Sequence, residues 1–206
     1  MQLSQIYSNM PSLFRHIRFN CGTKANVLNV VFARVDRPKD KDKDSHNLGK
    51  TTLIHLIDFC LLKDLSEPSK HFLAKNKGRF HNFVFYLEVL LSDGTYVTIC
   101  RGVSEPTQIS IKRHDSSSDF LVEPINGWDH ESIQLTAARE VLDAALNLSW
   151  IAPWSYRIGV TYFLRAQTDY LDPFQIGKFA KGKDREWKPY LAKVFGLDHQ
   201  AAFDKY

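Results

Sequence analysis

The chain has 206 residues, of which 44% are hydrophobic and 24% charged, the ordinary make-up of one globular domain or of one lobe of a larger one. A net charge of +4 permits contact with nucleic acid without arguing for it. Three cysteines (Cys21, Cys60, Cys100) without a CxxC spacing read as free thiols. The eight histidines lack an HExxH or paired Cys/His spacing, so no structural metal site is assigned.

The N-terminal stretch MQLSQIYSNMPSLFRHIRF lacks the continuous apolar core of a signal peptide, and charges such as Asp58 and Glu88 break the longest apolar runs. These features predict a cytoplasmic protein with no membrane partner. Residues 27–35, β-branched and apolar, read as a buried strand, and the polar loop after it carries the run KDKDKD. Lys50 to Leu62 is apolar on most faces and reads as a helix pressed against a sheet.

FVFYLEVLL and TYVTICR, joined around Ser92-Asp93-Gly94 within residues 83–101, predict a hairpin. Gln108 to Arg113 alternates and adds a third antiparallel strand, followed by a serine-rich loop from Asp115 to Asp119. Apolar residues at helical spacing predict a helix from Ser132 to Leu148. Residues 155–165 fit helix or strand, and 187–195 read as a short helix stopped by Gly196.

The stretch from Asp44 to Thr51 matches the P-loop pattern GxxxxGK[ST], with Asp44 in place of the first glycine. In such a loop Ser45, His46, Asn47, Leu48, Gly49 and Thr52 lie where backbone amides cradle phosphate oxygens. Lys50 reaches the outer phosphates, and the Thr51 hydroxyl ligates Mg2+. A carboxylate at Asp44 repels phosphate, so it must turn away, or the loop must take another path with Asn47 in the left-handed region. Neither Glu88, which runs into the hairpin, nor Asp58, inside the helix, makes a convincing Walker B carboxylate.

Together these segments resemble the N-terminal half of an SMC-like ABC ATPase head, the group containing RecF and RecN. IRFNCG (17–22) and LNVVFA (28–33) resemble its opening strands, and SHNLGKTTLIHLIDFCLL (45–62) its P-loop and helix. The wording NLGKTTLIHLIDF is similar to the YydD-like bacterial coiled-coil proteins. FVFYLEVLLSDGTYVTICR resembles the β-subdomain, FLRAQTDY (163–170) the Q-loop, and YLAKVFGLDHQAAFDKY the lead into a coiled coil.

The resemblance implies an α/β P-loop NTPase fold, an ABC-type N-terminal lobe with an antiparallel β-subdomain and flanking helices. The whole of 1–206 would be one lobe: P-loop at 44–52, β-meander about 80–125, helix about 132–148, Q-loop about 163–170 and coiled-coil lead from about 187. It implies ATP and Mg2+ as cofactors, with Lys50 and Gln167 catalytic and Thr51 and Gln167 at the metal. The partners implied are a C-terminal ATPase lobe of the same or another chain, a head-to-head homodimer, and DNA. Hydrolysis would require that lobe, and the role would lie in bacterial DNA maintenance, DNA repair or phage defence. Lys178, Lys181, Lys183, Arg185 and Lys188 are the basic residues for DNA, or else a solvated face.

Two other classes stand beside this one. A small P-loop phosphotransferase would run on in βα units after its P-loop helix, against the meander read here. A non-catalytic assembly module, with nucleotide as a structural element, would use aromatics such as Trp150, Trp154 and Trp187 as a partner surface or as core.

Overall fold

A computed structural model describes residues 1–22, 28–31, 49–66, 71–123, 127–165 and 184–204. The chain divides into two compact units, Met1–Leu146 and Asn147–Tyr206, each described by itself.

The first unit is built on a six-stranded sheet in the order β2-β1-β3-β4-β5-β6. The strands are β1 (Gln2–Ser8), β2 (Ile17–Arg18), β3 (Val84–Leu90), β4 (Tyr96–Gly102), β5 (Gln108–His114) and β6 (His130–Gln134). After β2 the described residues form the helices α1 (Lys50–Cys60), α2 (Phe72–Lys75) and α3 (Lys77–Phe80), and α4 (Leu135–Leu146) follows β6 directly.

Alternation along the strands gives the sheet two unlike faces. Register places Ile6 opposite Leu87, Leu87 opposite Ile99 and Ile99 opposite Ile111, one apolar row across four strands. All four side chains are buried, and α1 packs over β3 and β4 while α4 packs over β5. The next row along, Gln5–Glu88–Thr98–Lys112, faces the other way and is polar. In α1 the buried residues Leu56, Ile57, Phe59 and Cys60 recur at the i, i+3, i+4 spacing of a core-facing stripe.

The C-terminal end of α1 is held by two arginines. Arg101, 1% exposed, donates from Nη1 to the carbonyls of Phe59 (2.5 Å) and Lys63 (2.9 Å) and from Nε to that of Pro106 (2.7 Å). Its guanidinium also lies 4.2 Å from the Phe59 ring centroid. Arg139 of α4 donates from Nε and Nη2 to the Leu62 carbonyl. A cation at this end complements the negative pole of the helix and satisfies carbonyls that have no intrahelical donor.

The expected ABC-type P-loop architecture is not the one observed. All five strand pairings among the described residues are antiparallel, whereas a P-loop lobe rests on parallel strands joined by helical crossovers. The strand read at 27–35 should be the buried foundation of the phosphate loop. Its described part, 28–31, forms no strand, and Leu28 and Val30 are 86% and 72% exposed. The opening strand lies earlier, at Gln2–Ser8, and of IRFNCG only Ile17–Arg18 pairs with it. The resemblance to SMC-like and YydD-like heads therefore does not extend to topology.

The rest of the meander follows its sequence pattern. The hairpin turns at Asp93-Gly94, where Asp93 accepts from the Thr95 amide and hydroxyl, and β5 joins as the third antiparallel strand. The predicted helix at 132–148 starts later, at Leu135, because residues 130–134 pair with β5 instead.

In the second unit, a 3-10 turn (Ser149–Ile151) leads to α5 (Tyr156–Phe163), which settles the helix-or-strand question at 155–165 in favour of helix. Then come α6 (Asp184–Val194) and α7 (His199–Asp204), with Gly196 at φ 69 ending the run between them. Tyr190 stacks on Tyr162 with centroids 5.6 Å apart and meets Trp154 edge-on at 5.8 Å, so Trp154 serves as packing within this unit. No helix among the described residues is long and apolar enough to cross a membrane.

His71 gives the first unit a built-in acid sensitivity. Its ring is buried against His55 and Phe59, and its Nδ1 accepts the Leu73 amide at 3.2 Å, capping α2. Burial, aided by neighbouring His55, lowers its pKa to about 4. An unfolded histidine titrates near 6.5, so the unfolded chain binds the extra proton first as pH falls. The stabilisation is complete above about pH 6.5 and is lost as pH falls toward 4, by at most about 3 kcal/mol. Urea unfolding between pH 7.5 and 4 should show this slope, and His71→Asn, which keeps a cap without a titrating ring, should flatten it. An unchanged slope in the variant would refute the assignment.

Candidate functional site

Of the residues singled out as a P-loop, Gly49, Lys50, Thr51 and Thr52 are among the described residues. Ser45, His46, Asn47 and Leu48, and likewise Gln167, lie outside the described residues, as do Lys178, Lys181 and Lys183. Gly49 precedes α1 at φ 77, in the left-handed region, with open space around the position a Cβ would take. This backbone conformation explains the glycine without a ligand. Lys50 opens α1, Thr51 is exposed and Thr52 half-buried, and among the described residues no side chain caps this helix end. With no parallel strand among the described residues, the assignment of ATP and Mg2+ as cofactors and of an ATPase lobe as the function falls with the fold.

Glu88 is no Walker B carboxylate either. It sits at the centre of β3 with no exposure, and its oxygens accept four hydrogen bonds. Ser4 Oγ (2.5 Å) and Ser117 Oγ (2.6 Å) donate to Oε1; Gln5 Nε2 (3.0 Å) and the Ser118 amide (2.9 Å) donate to Oε2. His114 Nε2 lies 3.8 Å from Oε2 and pairs with the Thr98 hydroxyl at 2.9 Å, while its Nδ1 donates to the Ser116 carbonyl at 2.6 Å. A carboxylate so fully engaged is a structural anchor with no acceptor site left for a substrate proton.

The other chemically active side chains are similarly tied. His16 pairs with Asp119 at 3.1 Å and with Gln5 Oε1 at 2.7 Å, and burial pulls its pKa below the ordinary histidine value despite Asp119. Burial raises the Tyr7 phenol, whose oxygen accepts the Phe120 amide. It raises the Cys60 thiol, and it pushes Cys100 up to about 11, so neither thiol supplies a thiolate at neutral pH. Cys21, Cys60 and Cys100 are all free of disulfides.

On the helical side of the sheet a cleft of about 380 Å³ opens between β4, β5 and α4. Val97 and Ile111 form its floor, and Val141, Ala144 and Ala145 of α4 its wall. Arg113, Asp129 and His130 stand at its rim. The rim charges neutralise one another locally. Arg113 pairs with Asp93 and donates to the Thr95 hydroxyl, and Lys112 donates to Asp129 at 2.6 Å. The Arg113 amide fills the second Asp129 oxygen at 2.8 Å. The cleft exists because α4 presents small residues, Ala144 and Ala145, where larger ones would fill the space against β4 and β5.

No family model, curated protein or solved structure matches the chain.

Sequence reasoning missed this cleft. The adjacent alanines at 144–145 were legible as part of a helix, but which strands their helix would cover depends on β6. That short strand has no apolar alternation to announce it: His130, Glu131, Ser132 and Gln134 are all exposed.

Proposed function

We propose that the chain is a non-catalytic assembly module that seats an apolar side chain of a partner protein in the cleft between β4, β5 and α4. The observation that carries this reading is the combination of an apolar floor with a rim whose ions are already paired. Burying a partner's aliphatic or aromatic side chain there gains roughly 1.5–3 kcal/mol from removed apolar surface. An ionic metabolite finds no uncompensated charge among Arg113, Lys112, Asp93 and Asp129 to recognise it. The saturation of Glu88 and the raised Cys60 and Cys100 thiols support a binding role over catalysis. We place the module in the cytoplasm, in keeping with its three free cysteines.

A photo-crosslinking amino acid at Ala144, in the protein expressed in cells, should trap a specific protein, whether a second copy or another chain. Val141→Trp, which fills the cleft, should abolish capture by a crosslinker placed instead at His130. Equal capture from a crosslinker at the distant, exposed Lys75, or capture untouched by Val141→Trp, would sink the reading. Mg-ATP should leave the yield unchanged.

A further inference from the structure

The polar face of the sheet is covered by the segment Asp115–Phe120, and the manner of its attachment sets it apart from the rest of the first unit. Among the described residues it makes no backbone-to-backbone hydrogen bond with the sheet. Its ties run through side chains: Ser117 and the Ser118 amide to Glu88, the Ser118 carbonyl to Gln5 at 2.9 Å, and the Ser116 carbonyl to His114. The Phe120 amide ends on the Tyr7 hydroxyl at 3.0 Å, and Asp119 on His16. The Phe120 ring adds packing, against His114 at 5.2 Å and Trp128 at 5.9 Å.

We propose that Asp115–Phe120 is a strap that opens while the sheet beneath it stays folded, with Glu88 as its main anchor. The ladders from β3 through β4 to β5 run without a break, so these strands part only cooperatively. The strap can detach by exchanging a handful of side-chain bonds for water, the signature of a locally opening segment. Ser4 and Gln5, which belong to β1, continue to donate to Glu88 when it does. Opening therefore uncovers an engaged carboxylate with two acceptor positions vacated by Ser117 and Ser118. A hydrogen-bond donor such as an ammonium, guanidinium or peptide N–H suits those positions. The strap lies on the opposite face from the cleft, and the inference does not depend on the proposed function.

Residue-resolved amide exchange on the full chain tests this, using the Ser118 and Phe120 amides as reporters of the strap and the β3–β4 ladder as reference. The strap amides should exchange at least tenfold faster than the ladder amides, at a rate insensitive to low urea, which marks local opening. Ser117→Ala removes one donor to Glu88, and Tyr7→Phe removes the acceptor of Phe120 while keeping the ring. Each should speed the strap several-fold and leave the ladder unchanged. Exchange of strap and ladder at one rate with the same urea dependence would overturn the proposal. So would variants that accelerate both sets equally.

Discussion

Replacing Arg101 with methionine is expected to destabilise the protein by about 3–5 kcal/mol and to lower its melting temperature by roughly 10 °C. Methionine fills most of the volume of the arginine stem, so the loss comes mainly from the carbonyls left behind. Phe59, Lys63 and Pro106 each give up a donor; the Phe59 carbonyl keeps the Leu62 amide at 3.0 Å, so the loss falls hardest on the carbonyls of Lys63 and Pro106. A buried acceptor without a partner costs about 1–3 kcal/mol. The contact with the Phe59 ring is lost as well. Arg101→Lys should recover little of this, because one ammonium cannot reach acceptors spread along two edges of the guanidinium, at Nε and at Nη1. Urea unfolding followed by circular dichroism checks the size; a loss below about 1 kcal/mol would mean that Arg139 alone suffices to hold this helix end.

The second large effect is expected at Glu88. Glu88→Leu keeps the approximate size of the side chain but strands Ser4, Gln5, Ser117 and the Ser118 amide without their acceptor. About 3–4 kcal/mol should be lost. Glu88→Gln should lose roughly 1 kcal/mol: its carbonyl can face the two obligate donors, Gln5 and Ser118, and its amide can donate to the serine hydroxyls, which rotate to accept. The ratio of the two losses, taken from the same denaturation experiment, separates a saturated anchor from a charge whose sign matters. Equal losses for Gln and Leu would show that the negative charge itself holds the site.

The meander was legible because its signals are local. Asp93-Gly94 fixes a tight turn, and the alternation in TYVTICR and QISIKR fixes which side faces inward. Even so, alternation alone would send Glu88 and Thr98 to solvent. Both are buried: the serine-rich segment, correctly read as a loop, folds back onto Glu88, the His114 ring pairs with the Thr98 hydroxyl, and nothing in a polar loop announces where it lands. Arg101 was equally opaque, since an arginine closing a strand reads as surface until α1 is seen to end beside it.

The nucleotide reading failed for a related reason. Gly-Lys-Thr-Thr before an apolar helix is a short local pattern, while its chemistry depends on a parallel strand beneath it, a non-local fact. Residues 28–31 have the β-branched composition for that strand but sit exposed outside the sheet.

The borders of the sheet bear on how such a protein meets copies of itself. Among the described residues, one side ends at β2, two residues long. On the other, β6 is five residues long, carries Ser132 at φ 48 and loses register with β5 between Ile109 and Ile111. A kinked border of this kind offers no straight row of amides and carbonyls for another chain to zip onto. Crowding the protein to high concentration should therefore yield discrete complexes or clear solution, without the endless cross-strand growth that leads to fibres.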